Sequence, residues 1–242
     1  NRFESTVPKT IANPKTEMFS ADTLKFLKQL AGNNDREWFD RNRQRYEDEV
    51  REPAFDYIRS MEQPIAEISP HFVVSARKTR GSLMRVFKDM RFNKDPSPYK
   101  TNIGIQFRHD AGKDVHAPGF YLHIEPGEMF LAAGIWSPDN PTLSKVRTLI
   151  DECPDDWKKI KRSLINAKTG FELSGESLKS PPKGYASDHP LLEDLKRKHF
   201  IAVRQLDKQD VLGQSATKTT AALFKKTAPL VKFICEATDQ NF

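Results

Sequence analysis

The spacing of apolar residues changes twice along this chain, and those two changes limit what it can fold into more than any single motif does. From Phe19 to Ile68 apolar positions recur at helical intervals of three and four; after Pro70 they alternate as far as Trp136; from Asn140 the helical interval returns. Helices, then a succession of strands, then helices predict an α+β protein: a central antiparallel sheet meander flanked by N-terminal and C-terminal helices, not a βαβ repeat. No internal repeat is visible.

The boundaries follow from local signals. Residues 1–18 hold Pro8, Pro14 and little periodic apolar content, and read as an extended arm before one domain over 19–242. Phe19 before the cap Ser20, with Leu24 four positions on, has the form of a hydrophobic staple; Leu24, Leu27 and Ala31 share a face, and Gly32 is a stop. Asn34 with Glu37 has the form of a capping box for a second helix running to Val50, with Trp38, Asn42 and Tyr46 on one stripe. A third helix starts at Pro53, buries Ala54, Ile58, Met61, Ile65 and Ile68, and kinks at Pro64. Strands are expected at Phe72–Ala76, Leu83–Phe92 and Thr101–Arg108, then in a hairpin, FYLHIE and MFLAAGIW about the turn PGE. Helices follow at Asn140–Glu152 and Asp155–Asn166, a short strand pair at Phe171–Ser177, a short helix LLEDLKRK, an apolar strand FIAVRQL, and a long helix Ser215–Glu236 containing Pro229.

Composition excludes several classes. No apolar run approaches the ~20 residues that cross a bilayer. Cys153 and Cys235 are the two cysteines, without the paired spacing of a disulfide framework or a zinc knuckle, so a reducing, cytoplasmic setting is expected; the first residues carry no signal-peptide h-region. GxSxG, Walker A, HExxH and dinucleotide fingerprints are absent. The net charge is +6, and from Arg77 to Lys100 eight basic residues face two acidic ones, so that segment alone carries the whole excess. A local anion site fits this concentration better than a broad nucleic-acid stripe.

The charged stretch SLMRVFKDMRFNKDPSPYK, Ser82 to Lys100, is therefore the first place to look for a site. Alternation puts Leu83, Arg85, Phe87, Asp89 and Arg91 on one face. Two guanidiniums flanking one carboxylate can offer spare donors to a phosphate or carboxylate, or can simply satisfy each other. In the loop beyond, Lys94 and Lys100 can grip an anion while Tyr99 stacks on a ligand ring; alternatively Tyr99 anchors the loop to the sheet. On the hairpin, Gly119, Tyr121, His123 and Glu125 share a face, which makes His123 and Glu125 candidates for a base held by a carboxylate, or for half a metal site. The other histidines carry weaker signals.

Five segments in order, WFDRNRQRY (38–46), VFKDMRFNKDPSPYKTNIG (86–104), GFYLHIEPGEMFLAAGIW (119–136), KGYASDHP (183–190) and FKKTAPLVKFI (224–234), resemble the bacterial and fungal domain of unknown function 2461 family of conserved hypothetical proteins. The residues matching the family pattern are Trp38, Phe39, Asn42, Arg43, Tyr46, Arg91, Phe92, Asp95, Pro98, Tyr99, Lys100, His189 and Pro190. The resemblance implies one domain over about Phe19 to Gln240 and brings no established activity with it. Ala132-Ala133-Gly134 departs from the consecutive glycines more usual in the family, which puts a close backbone approach there in question.

These readings converge on an expectation: an anionic, phosphorylated or nucleotide-like small ligand held by Arg85, Asp89, Arg91, Lys94, Tyr99 and Lys100, with His123 and Glu125 nearby as the candidate catalytic pair. No metal is expected, and neither a cofactor nor a reaction is assigned. The alternative is a non-enzymatic module that uses the same basic surface for nucleic acid or an acidic protein.

Overall fold

Five strands form one antiparallel sheet in the order β1-β2-β3-β5-β4: β1 Ile103–Arg108, β2 Gly119–Glu125, β3 Glu128–Ile135, β4 Glu172–Ser174 and β5 Phe200–Gln205. The computed structural model describes residues 18–89, 95–112, 116–213 and 215–242; the expected arm over 1–18 lies, but for Met18, outside the described residues. With helices on both sides of the sheet in the chain, the architecture is α+β.

The N-terminal layer begins at α1 (Ala21–Gly32). Ser20 caps it as its sequence predicts: its hydroxyl accepts from the Asp22 amide at 3.2 Å, and the Ser20 amide donates to the Thr23 hydroxyl at 3.2 Å. The buried stripe is Thr23, Phe26, Leu27 and Leu30, with Leu24 at its edge and Ala31 outside, one position round from the predicted face. The second predicted helix is divided into α2 (Arg36–Arg41), α3 (Arg43–Tyr46) and a π-helical turn at Glu47–Arg51. Its cap is Asp35, which accepts from the Trp38 amide at 2.8 Å, and not Asn34. Asn34 has a different task, described below. Next come α4 (Glu52–Ser60), with Pro53 in its first turn, and α5 (Glu62–Ile68). The break between them falls at Met61, three residues before Pro64, because the proline ring crowds the preceding turn.

On the C-terminal side lie α6 (Asn140–Glu152), α7 (Pro154–Leu164), α8 (Leu192–Leu195), α9 (Lys208–Val211) and α10 (Ala216–Ala237). The last carries Pro229 within it. Alternation along the strands sends Ile103, Ile105, Phe107, Phe120, Leu122, Ile124, Leu131, Ala133, Phe200 and Ala202 to one face, where Leu223, Phe224, Leu230 and Ile234 of α10 pack on them. Phe224 meets Phe107 and Phe120 edge-on, with centroids 6.1 and 5.3 Å apart.

Two expected strands are not regular strands. Phe72–Ala76 and the described part of Leu83–Phe92 make only isolated bridges, Phe72 to His109, Leu83 to Ile105 and Phe87 to Tyr99. The reason is divided pairing. Gln106 N–H donates to Ser82 O and Met84 N–H to Gly104 O, each at 2.9 Å, so the segment first lies along the edge of β1. It then leaves that edge, and Lys88 N–H donates to Pro98 O while Lys100 N–H donates to Val86 O. Neither partner holds it long enough to make a ladder. Alternation nevertheless survives locally, with Val86 buried between exposed Arg85 and Phe87.

The close approach questioned at Ala132-Ala133-Gly134 is present, and Gly134 alone supplies it. Its φ is +130°, and a Cβ there would stand 2.0 Å from the Phe200 carbonyl oxygen of β5.

Candidate functional site

The sheet face away from α10 is open, and it holds a groove of about 530 Å³. Small residues make its floor: Gly119, Ala132 and Gly134 lie side by side there, because Gly119 pairs with Gly134 and Tyr121 with Ala132 in the β2–β3 register. Tyr121, Phe130, Trp136, Ile201, Val203 and Met84 rise around them. Trp136 keeps half its surface exposed. The charged groups lining the groove are two carboxylates, Glu128 and Glu172.

At the hairpin end of this face the side chains form a chain of polar contacts. Glu125 Oε2 lies 3.4 Å from His123 Nε2, and His123 Nδ1 lies 3.1 Å from the Tyr121 hydroxyl and 3.4 Å from Asn102 Nδ2. An amide nitrogen and a phenol both donate to Nδ1, which leaves the ring proton on Nε2 facing the carboxylate. Thr101 donates its hydroxyl to the other Glu125 oxygen, and the His123 ring stacks on Phe130 at 4.6 Å with 8° between planes. The imidazole is thus fixed in position and tautomer. Burial first, then the carboxylates of Glu125 and Glu128, push the Tyr121 phenol up to about 12, so it stays a hydrogen-bond donor at neutral pH. Its hydroxyl occupies space that only a glycine leaves free: a Cβ on Gly104 would stand 2.8 Å from it and 3.0 Å from Met84 Sδ.

The residues expected from the sequence are separated into two groups. Arg85 is exposed and its guanidinium lies 3.7 Å from Asp89, four residues on. Lys100 is half-buried; burial, then the Arg85 charge beside it, lowers its ammonium pKa. No carboxylate among the described residues lies within ion-pair distance of Lys100. Arg85 follows Met84, which lines the groove, and Lys100 precedes Thr101 and Asn102, which touch Glu125 and His123. These two cations therefore border the same end of the sheet as the His123–Glu125 pair. Tyr99 goes the other way: it is 3% exposed, stacks on Phe39 at 4.1 Å and touches Phe87 at 5.3 Å, so its ring anchors the loop against the helical layer. Arg91 and Lys94 lie outside the described residues. Lys88, absent from the expected set, donates to Asp95 and Ser97 at 2.5 Å, and the Lys88 bond, then those from Ser97, hold the Asp95 carboxyl well below the usual range.

Tyr121 is the residue that the reading of the sequence missed, although the alternation that paired His123 with Glu125 had placed it on the same face. The groove floor left almost no signal, since glycine and alanine in a strand carry no pattern of their own.

Among the described residues, two side-chain sets have metal-ligand spacing. Donor atoms of His123, Glu125 and Glu128 lie within 4.8 Å of one another, as do those of His71, His109 and Asp110. In the second, both His109 nitrogens are engaged, Nε2 with the Asn241 carbonyl at 2.7 Å and Nδ1 with the Ala111 amide at 3.1 Å. The first set, with one imidazole nitrogen and two carboxylates, could hold a divalent cation after His123 shifts its proton to Nδ1.

Comparison with known families bears on the whole of this architecture. The model of a family described as "Conserved hypothetical protein (DUF2461)" matches residues 22–233. The chain belongs to this family. The DUF2461 match takes in every strand, the groove and both groups of candidate residues, and ends inside α10. A search of curated proteins finds none that matches the chain. No helix among the described residues is long and apolar enough to cross a membrane.

Proposed function

We propose that this DUF2461 protein binds a small anionic molecule at the hairpin end of the open sheet face. The anion rests on Lys100 and Arg85, and a flat or apolar body extends along the groove floor over Ala132 and Gly134. The observation that carries this reading is Lys100: a half-buried ammonium beside a second cation, with no carboxylate in ion-pair reach among the described residues. Holding such a charge costs free energy, and a bound phosphate or carboxylate would relieve both the burial and the repulsion. Of the two groove carboxylates, Glu172 on β4 lies away from the hairpin and disfavours an anion on its own side of the groove, whereas Glu128 stands opposite Glu125 at the hairpin end. The Tyr121 hydroxyl, its one proton given to His123 Nδ1, offers its oxygen as an acceptor to a donor group of the bound molecule, and Tyr121, His123 and Glu125 form a chain along which a proton can move.

A thermal-shift panel of nucleotides and sugar phosphates, each against sodium chloride at equal ionic strength, tests this. A saturable rise in melting temperature with one ligand class is expected, weakened at least tenfold by Lys100→Met and abolished by Ala132→Phe, which fills the floor with a residue suited to a strand. Binding unchanged in the folded Lys100→Met protein overturns the reading. Affinity for arbitrary DNA or RNA that falls steeply with salt, without any small-molecule response, would replace it with a nucleic-acid module.

A further inference from the structure

A second hollow, of about 510 Å³, lies beyond Trp136, between the start of α6 and the bridged segments 176–178 and 196–198. Its volume falls within the range of small-molecule sites. Two of its lining side chains are more than nine-tenths buried and polar: Arg147, 8% exposed, and His199, 7% exposed.

Each of these has a donor left over. Arg147 gives Nε to the Leu195 carbonyl at 2.6 Å and Nη2 to the Arg197 carbonyl at 3.0 Å. Among the described residues, no carboxylate lies in ion-pair reach of its guanidinium, and Nη1 has no hydrogen-bond partner. His199 accepts the Ser137 amide on Nδ1 at 2.8 Å. That bond fixes a left-handed turn residue, with φ +47°, and it fixes the tautomer as well, so the ring proton sits on Nε2. Nε2 likewise has no partner among the described residues. The ring is held from both sides: Trp136 stacks on it at 4.1 Å with 12° between planes, and a Cβ on Gly175 would lie 2.7 Å from its Cδ2. At the rim, Lys198 pairs with Glu176 at 2.8 Å. The charges lining the hollow are thus two cations and one carboxylate, an excess of one positive charge.

We infer that this hollow is an anion-binding site for the carboxylate or phosphate group of a small molecule, with Arg147 Nη1 and His199 Nε2 as the donors and the exposed half of Trp136 as a platform for a planar ligand. A buried guanidinium whose partners are all neutral carbonyls is an uncompensated charge, and a monoanion is the counterion that its surroundings lack. A planar guanidinium also suits a two-oxygen acceptor. The inference does not rest on the groove reading, although Trp136 borders both hollows.

The test is thermal melting of the full chain with inorganic phosphate and, separately, with benzoate, each against sodium chloride at equal ionic strength. A saturable rise with at least one is expected; benzoate would also change tryptophan fluorescence through Trp136, whereas phosphate alone would mark a site for phosphoryl groups. Arg147→Gln keeps two N–H donors for the two carbonyls and loses the charge; at least tenfold weaker binding is expected. Should that variant not fold, two rim changes decide the matter, with Glu176→Gln tightening binding severalfold and Lys198→Gln weakening it severalfold. Ala132→Phe in the groove should leave the response intact. The inference is overturned by no saturable response to either anion in the unaltered protein, by rim changes that move affinity in the wrong direction or not at all, or by loss of the response in Ala132→Phe, which would assign it to the groove.

Discussion

Asn34 holds the Tyr99 backbone with both ends of its carboxamide: Nδ2 donates to the Tyr99 carbonyl at 2.9 Å, and Oδ1 accepts the Tyr99 amide at 3.0 Å. This is how a strand uses its neighbour, performed here by one side chain across 65 residues. It ties the helical layer to the loop that delivers Lys100, and it explains why helix capping falls to Asp35.

Asn34→Ala removes both bonds and leaves a buried residue's backbone groups without a partner. A loss of about 1–3 kcal/mol is expected in urea unfolding. Asn34→Asp keeps the acceptor but sets a carboxylate against the Tyr99 carbonyl, and should cost at least as much. If either variant unfolds at the unaltered protein's midpoint, the clasp has no energetic weight.

Gly134 and Gly127 both have positive φ, at +130° and +96°, but their surroundings differ. A Cβ on Gly134 would strike the β5 backbone, whereas one on Gly127 meets nothing within 4 Å. Gly127→Ala should cost about 1 kcal/mol, the conformational strain alone. Gly134→Ala should cost roughly 3 kcal/mol or more, since β3 and β5 must separate. Equal losses in calorimetry would refute the close approach as the reason for glycine at position 134.

Tyr121 carries a pH dependence of known sign. In the unfolded chain a tyrosine ionises near pH ~10, while in the fold the phenol is pushed up to about 12. Between those values the native state holds a proton that the unfolded state has released, so stability falls as pH rises through that window and is unaffected below it. Phenolate absorbance of the unaltered protein minus that of Tyr121→Phe isolates this group. Glu128→Gln should move its midpoint downward, and an unmoved midpoint would exclude that carboxylate as a contributor.

Much of the fold was legible because burial writes itself into spacing. The change of period located the β1–β3 meander and the flanking helices, and Ser20 marked the start of α1 by chemistry that acts within one turn. Where pairing depends on distant partners, the same rules were insufficient. The stretch 82–89 alternates like a strand, yet it divides its backbone bonds between β1 and the loop at 97–100. Of the expected ligand residues, Lys100 and Arg85 border the His123–Glu125 end of the sheet, while Tyr99 turned inward because Phe39 and Phe87 stand where its ring can reach them. Arg147 was invisible as a site residue: on a helix at core spacing it is one more exposed cation until the loop carbonyls that surround it are known.

The divided pairing of residues 82–89 has a result for the molecule as a whole. A sheet with bare outer strands is a template on which other chains can assemble. Here β4 ends one side after three residues, and the Ser82–Met84 backbone runs along β1 on the other before turning away. The backbone that covers the β1 edge is thus followed at once by Arg85, an exposed cation beside which a second sheet would have to settle.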